Sequence, residues 1–176
     1  MKPQLMRSEV MRSGGRRGSV VLETAMMIPI IVLLLVGMTQ VGKFTYTYVE
    51  LRKVVNSVAA YLATQQGVDF CSATDPNVAA AISFGLTGTT DNSQPVFVTG
   101  LTQEMIQIVP ERYDPLTQTT GVCTCAINGC DVAAGGGEPN IIVVSINGYT
   151  LQPRIPFLQI DAIPLRPQVK VRFGGI

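Results

Sequence analysis

The sequence predicts an α+β protein in which a long N-terminal helix packs on a small antiparallel β-sheet head. Three observations support this. Residues 24–42 carry no charge and are mostly aliphatic. The stretch that follows repeats apolar residues at helical spacing. From residue 68 onward, short apolar runs alternate with segments rich in Gly, Pro and Asn, a pattern typical of strands joined by turns.

The apolar span, residues 24–42, is long enough to cross a membrane. Its 19 residues would form a helix of about 28 Å, close to the roughly 30 Å of a bilayer hydrocarbon core. It exceeds the apolar core of an ordinary secretory signal, and no A-x-A cleavage site follows it. We therefore predict a transmembrane helix over residues 19–42. Pro29 is expected to kink it, because proline removes one backbone hydrogen bond.

An amphipathic continuation is predicted over residues 43–67. Neither proline nor a turn cluster separates it from the apolar span, so the two should form one helix of about 45 residues, from near residue 20 to a C-cap at Gly67. Its apolar stripe should pack on the head; the stripe consists of Phe44, Tyr48, Leu51, Val55, Val58 and Leu62.

The distribution of charged residues predicts which end of the span faces the cytoplasm. Residues 1–18 carry five basic and one acidic side chain, and positive charge before a span favours a cytoplasmic N-terminus. The head, residues 68–176, would then be periplasmic, where disulfides persist. A basic leader is more often a targeting signal than a nucleic-acid site, so no nucleic-acid partner is expected.

The four cysteines are interpreted as disulfide partners that stabilise the head. Cys123 and Cys125 would point to the same side of a predicted strand at 120–126, and Cys130 returns after a turn. Four cysteines permit three pairings. Among these we favour Cys71 with Cys123, and Cys125 with Cys130.

A short helix and several strands are predicted in the head. Asp75 and Pro76 are typical of an N-cap and a first helical position, and this helix should end before Gly85. The continuously apolar run 141–146 is typical of a central strand. The segment 151–167 holds four prolines and should be an edge or irregular segment. The remaining strands are predicted at 95–99, 105–109, 120–126 and 168–173.

Most enzyme chemistry is disfavoured. The chain has no histidine, which excludes Ser-His-Asp and Cys-His catalysis and leaves zinc only an all-cysteine site. The sequence from Gly37 to Lys43 fits G-x-x-x-x-G-K, but Phe44 stands where a phosphate loop needs Ser or Thr. We expect no enzyme, no cofactor and no bound metal.

Residues 16–23, RRGSVVLE, resemble a class III signal sequence, which prepilin peptidase cuts after a glycine so that glutamate becomes the fifth mature residue. More narrowly, this stretch and the later LRKVVNSVAAYLAT resemble the TadE-like family of tight-adherence (Flp) pilus systems. The pattern R-G-x-x-x-x-E-x-A-x-x-x-P is occupied by Arg17, Gly18, Glu23, Ala25 and Pro29.

The resemblance implies a pilin-like minor pilin or pseudopilin. Its leader, residues 1–18 with Arg16 and Arg17, would be removed between Gly18 and Ser19. Glu23 would then meet the new N-terminal amine of a neighbouring subunit, and helix 20–41 would supply most of the subunit interface.

The implied partners are other pilin subunits, prepilin peptidase and the inner-membrane assembly platform. The protein would lie in the bacterial inner membrane before it enters an extracellular pilus, with a structural or adhesive role. Two alternatives stay open at this point. One is an uncleaved single-pass periplasmic protein, either an envelope factor or a thiol-active enzyme. The other is a pseudopilin of a type II secretion system, which Arg16, Arg17 and Pro29 fit less well.

Overall fold

The computed structural model describes residues 16–72, 74–127, 129–153 and 159–174. Residues up to Val41 form one compact unit and residues from Gly42 form another. The predicted α+β class is confirmed. The elements are α1 (Arg16–Ala63), α2 (Pro76–Thr87), a 3-10 turn (Gln103–Met105), β1 (Ile106–Asp114), β2 (Thr119–Val122), β3 (Ile141–Ile146), β4 (Thr150–Leu151), β5 (Ile163–Pro164) and β6 (Gln168–Arg172).

Helix α1 is continuous over 48 residues and contains Pro29. It begins at Arg16, four residues before the predicted start. It ends at Ala63, so the predicted C-cap at Gly67 is wrong. The chain leaves the helix through a tight turn in which the Thr64 amide donates to the Tyr61 carbonyl at 3.2 Å. Gly67 has a positive φ of 65°, but it lies beyond that turn. A kink at Pro29 stays a prediction.

The main sheet is antiparallel, with strand order β2-β1-β3-β6. Strand β3 is central, as its continuous apolar run predicts. Three of its residues, Ile142, Val144 and Ile146, are buried on one face, and their neighbours Ile141 and Val143 are only partly buried on the other. The buried face carries the core.

The predicted strand at 95–99 is absent, and residues 95–99 form bends and turns instead. The Phe97 amide donates to the Leu86 carbonyl at 2.9 Å, which attaches this segment to the end of α2 rather than to a sheet. Among the described residues of the proline-rich segment 151–167, the pairing is a two-residue ladder between β4 and β5. Proline cannot donate to a ladder, which keeps this pairing short.

The second half of α1 packs on the buried face of the sheet. Four residues of the predicted stripe, Leu51, Val55, Val58 and Leu62, are fully buried in one core with the β3 side chains. Phe44 is partly buried against that core. Tyr48 differs from the prediction, because 39% of it is exposed.

The buried surface of α1 is wider than the predicted stripe. Val54 and Ala59 are also buried in this core, and α2 packs against α1 at Val54 and Val58. A β-carbon added at Gly85 of α2 would lie 2.2 Å from Cγ2 of Val58 and 3.2 Å from the Val54 carbonyl oxygen. Glycine at this position therefore permits the close approach of the two helices.

Helix α2 begins as predicted and ends later. The Asp75 carboxylate accepts hydrogen bonds from the amides of Asn77 at 2.8 Å and Val78 at 3.1 Å. The predicted end before Gly85 is wrong, since the helix runs on to Thr87 and is capped by Gly88 at a φ of 80°. Gly85 marks a helix contact and not a helix end.

The disulfides pair Cys71 with Cys125 and Cys123 with Cys130, so the favoured pairing is wrong. That pairing assumed that Cys123 and Cys125 share one face of a strand. Strand β2 instead ends at Val122, and the chain then turns. The Cys130 amide donates to the Thr124 carbonyl at 3.0 Å, and the turn places Cys130 beside Cys123 and leaves Cys125 to reach Cys71.

Arg112 of β1 holds the loop that follows these cysteines. Its Nη2 donates to the carbonyl oxygens of Gly129 at 3.1 Å, Glu138 at 3.3 Å and Gly137. One guanidinium nitrogen therefore joins two ends of the loop that contains Cys130. The sequence analysis did not single out this residue.

Replacing Arg112 with methionine is expected to lower the free energy of unfolding by about 1.5–3 kcal/mol, because hydrogen bonds from a charged group are lost. Denaturant unfolding of the full chain in detergent micelles would measure this. Arg172→Met is the matched control, since that side chain is exposed on β6 and its loss should change stability by less than about 0.5 kcal/mol. Equal effects of the two substitutions would contradict the role given to Arg112.

Candidate functional site: the N-terminal half of α1

The first half of α1 exposes apolar side chains on all sides. From Val20 to Val41, each large apolar side chain except Val36 has between 52% and 70% of its surface exposed. Such a helix would be highly unfavourable in water, since each fully exposed aliphatic side chain forgoes about 1.5–3 kcal/mol of burial. In the part of the chain that the structure describes, α1 is the one helix long and apolar enough to cross a membrane.

The hydroxyl groups in this segment are satisfied within the helix. Thr24 Oγ1 donates to the Val20 carbonyl at 2.7 Å, and Thr39 Oγ1 donates to the Val36 carbonyl at 2.8 Å. Polar groups inside a bilayer need such internal partners, because no water is present to hydrogen-bond them. Both threonines are therefore compatible with lipid or with a packed helix bundle.

The predicted processing residues occupy the beginning of α1. The backbone is helical from Arg16, so Arg17, Gly18 and Ser19 lie in its first turn. The side chains of Arg16, Arg17 and Ser19 lie outside the described residues, as does the rest of the leader. Glu23 is exposed on the helix, five positions after Gly18. It is the one charged residue between Gly18 and Lys43.

The sequence model of the TadE-like protein family matches residues 18–60. Residues 18–60, which lie within α1, are therefore similar to TadE-like proteins. The match begins at Gly18, contains Glu23 and Pro29, and stops three residues before α1 ends. Comparisons with curated proteins and with solved structures gave no match. The TadE-like resemblance is therefore confirmed for α1, and the head lies outside the matched residues.

The TadE-like helix is joined to a head in which the four cysteines are all disulfide-bonded. Among the described residues, no three His, Cys, Asp or Glu side chains lie close enough to hold a metal ion. The first half of α1 therefore provides an apolar surface, suited to lipid or to other helices, with the Glu23 carboxylate near its beginning. This helix is joined to a disulfide-bonded head.

Ionisable side chains on the second half of α1 and on the head are involved in local contacts. The Glu50 carboxylate accepts a hydrogen bond from Lys53 Nζ at 2.8 Å, which raises the pKa of Lys53. The Leu116 amide and the Thr117 hydroxyl donate to Asp114, which lowers the pKa of that carboxyl. Both pairs lie on the surface, where they fix a helix turn and the tip of the β1–β2 hairpin.

Proposed function

We propose that this protein is a minor pilin or pseudopilin of a tight-adherence (Flp) pilus, processed by prepilin peptidase after Gly18. The observation that carries the proposal is the TadE-like match, which begins at Gly18 and includes Glu23 at the fifth position after it. The match over residues 18–60 supports a tight-adherence pilus role. The cleavage and the assembly steps are inferred from the position of these residues.

Cleavage would give Glu23 a partner. A carboxylate is expensive in a low-dielectric environment unless an opposite charge or several hydrogen-bond donors lie nearby. Removal of residues 1–18 creates an α-amine at Ser19, and the amine of one subunit can pair with Glu23 of the next. Because the amine exists only after cleavage, processing and assembly are coupled.

The apolar surface of α1 explains both stages. In the inner membrane, lipid covers the side chains from Val20 to Val41. In a filament, the corresponding helices of neighbouring subunits cover them. The head remains in the periplasm and then on the pilus, where its two disulfides persist. Its work is assembly and surface contact, with no catalytic step.

The first test is the intact mass and N-terminal sequence of the protein from membranes of cells with and without prepilin peptidase. We expect a chain that starts at Ser19 only when the peptidase is present. A Gly18→Leu substitution should abolish this product, because the peptidase cuts after a glycine. Gly37→Leu is the matched control, since it makes the same change at a helical glycine of α1 with open space around it, 19 residues away from Gly18.

A chain that keeps the leader in both strains would contradict the proposal. Glu23 would then be an interfacial residue of an uncleaved single-pass anchor, and the head would need a function of its own. Cleavage that persists in Gly18→Leu would place the processing site elsewhere.

A further inference from the structure

Two large apolar side chains of the head, adjacent in sequence, are both exposed. Val96 has 44% and Phe97 has 62% of its surface exposed. They lie in a loop, residues 95–98, between α2 and the 3-10 turn. Exposing an aromatic ring forgoes the favourable free energy of its burial, so a fixed exposed pair calls for a partner.

The exposure does not arise from a loosely held loop. The Phe97 amide donates to the Leu86 carbonyl at 2.9 Å. On one side the Phe97 ring lies so close to Gly88 that a β-carbon there would come within 2.9 Å of Phe97 Cζ. The next residue, Val98, is buried in the core, and Tyr149 Oη donates to the Thr99 carbonyl at 3.3 Å. The backbone is anchored on both sides of an outward-facing ring.

This loop lies beside the part of α1 that follows the apolar span. Phe97, Val98 and Thr99 line a cleft of about 210 Å³ together with Tyr46 and Glu50 of α1. Tyr46 is three residues beyond Lys43, the first charged residue after the span, which corresponds to about 4.5 Å along a helix. Glu50 is about 10 Å beyond Lys43 by the same rise. The headgroup region on each side of a bilayer is about 5–8 Å thick, so Tyr46 would lie within it and Glu50 just beyond its outer edge.

The exposed face of α1 at this level is also apolar and aromatic. Tyr46 and Val49 are three residues apart, so they lie on one face, and both are exposed. Aromatic rings collect at the headgroup level of membranes, and lysine side chains near the end of a span extend towards the phosphates. We call the surface formed by Tyr46, Val49, Val96 and Phe97 the interfacial surface. Lys43 precedes it on α1, at the end nearest the apolar span.

We propose that the interfacial surface contacts the lipid headgroup region of the membrane in which α1 is inserted. The inference rests on the membrane insertion contained in the proposed function. It adds a second membrane contact, made by the head itself. Lipid is the occupant favoured by continuity, because the surface directly follows the apolar span along α1. Contact of the loop with lipid would hold the head against the membrane until the subunit is withdrawn into the filament.

The chain has no tryptophan, so each single substitution gives a protein with one tryptophan reporter. We would reconstitute the full chain carrying Phe97→Trp into phosphatidylcholine vesicles brominated near the glycerol end of the acyl chains. We expect its emission to be quenched and shifted to the blue. Val96→Trp is the second reporter, in case the larger ring is not accepted against Gly88.

Two controls make the result specific. Leu116→Trp reports on a side chain that is 93% exposed at the tip of the β1–β2 hairpin, and its emission should be unchanged by bromolipid. Strand β1 begins directly after the 3-10 turn and leads to this tip. Its nine residues span about 26 Å, so the tip lies at least that far along the chain from the start of β1. Leu33→Trp reports on the apolar span and should be strongly quenched.

Quenching of Leu33→Trp without quenching of Phe97→Trp and Val96→Trp would overturn this inference and leave membrane insertion of α1 intact. If the emission of Phe97→Trp shifts to the blue as protein concentration rises but is not quenched by bromolipid, the surface contacts a second copy of the chain. That result would also overturn this inference. Absence of quenching at Leu33→Trp would overturn both the inference and the proposed insertion.

Discussion

Replacing both Cys71 and Cys125 with alanine is expected to lower the free energy of unfolding of the head by about 4 kcal/mol. This bond joins residues 54 positions apart, and a cross-link that closes a long loop removes more entropy from the unfolded chain than one that closes a short loop. The Cys123–Cys130 bond spans seven positions. Its removal by the matched Cys123→Ala and Cys130→Ala pair should cost about 2 kcal/mol on the same relation.

Denaturant unfolding of the two double variants and the parent in detergent micelles would test this difference. Near-ultraviolet circular dichroism is the suitable signal, because it follows aromatic packing, such as the buried Tyr149 and the Tyr61–Phe84 contact, and not the helicity of the apolar span. Stability losses that are equal, or larger for the Cys123–Cys130 pair, would contradict the entropic account. Free thiols in the parent protein would contradict the pairing itself.

Long periodic features of this chain could be predicted from its sequence. The apolar span and the buried residues Leu51, Val55, Val58 and Leu62 extend over a continuous helix, so each turn repeats the same signal. Strand β3 could be predicted because six consecutive apolar or small residues fit a strand covered on both sides by neighbours. In both cases many residues of one segment indicate the same secondary structure.

The errors lie where one tertiary contact decides the local structure. Gly85 is typical of a helix end in isolation, yet it lies within α2 because Val58 of another helix leaves no room for a side chain. The disulfide pairing depends on where β2 ends, and a strand end is set by a few hydrogen bonds. Residues 95–99 contain the run Val-Phe-Val, which is typical of a strand, but the hydrogen bond from the Phe97 amide to the Leu86 carbonyl places them against α2.

In the candidate site, too, local sequence patterns could be predicted and contacts between distant residues could not. The residues of the predicted processing site form a pattern within one short segment, from Arg17 to Pro29, and the family match covers almost all of that segment. Cleavage itself stays a prediction. The interfacial surface could not be predicted. Its members Tyr46 and Phe97 are distant in sequence, and a single exposed phenylalanine in a polar loop carries no signal until the fold brings it beside α1. Arg112 was missed for the same reason, since its three acceptors follow it by 17 to 26 positions.

Replacing Gly85 with alanine should destabilise the head by about 1–3 kcal/mol, although alanine is the better helix former. The added methyl group would lie 2.2 Å from Cγ2 of Val58, which is fully buried and cannot turn away into solvent. Either α2 moves away from α1 or Val58 adopts a strained rotamer, and both lose packing. Gly42→Ala is the matched control, because it is the same change in a helix with open space around it, and it should be neutral or slightly stabilising.

A double-mutant cycle separates this contact from a general effect of the substitution. Val58→Ala alone should cost about 1–3 kcal/mol, because it leaves a cavity in the core. In the double variant the two methyl groups removed from Val58 make room for the one added at Gly85, so its loss of stability should be smaller than the sum of the single losses by at least about 0.5 kcal/mol. Additive losses would show that the two residues do not compete for the same space, and the close approach of α1 and α2 would then need another cause.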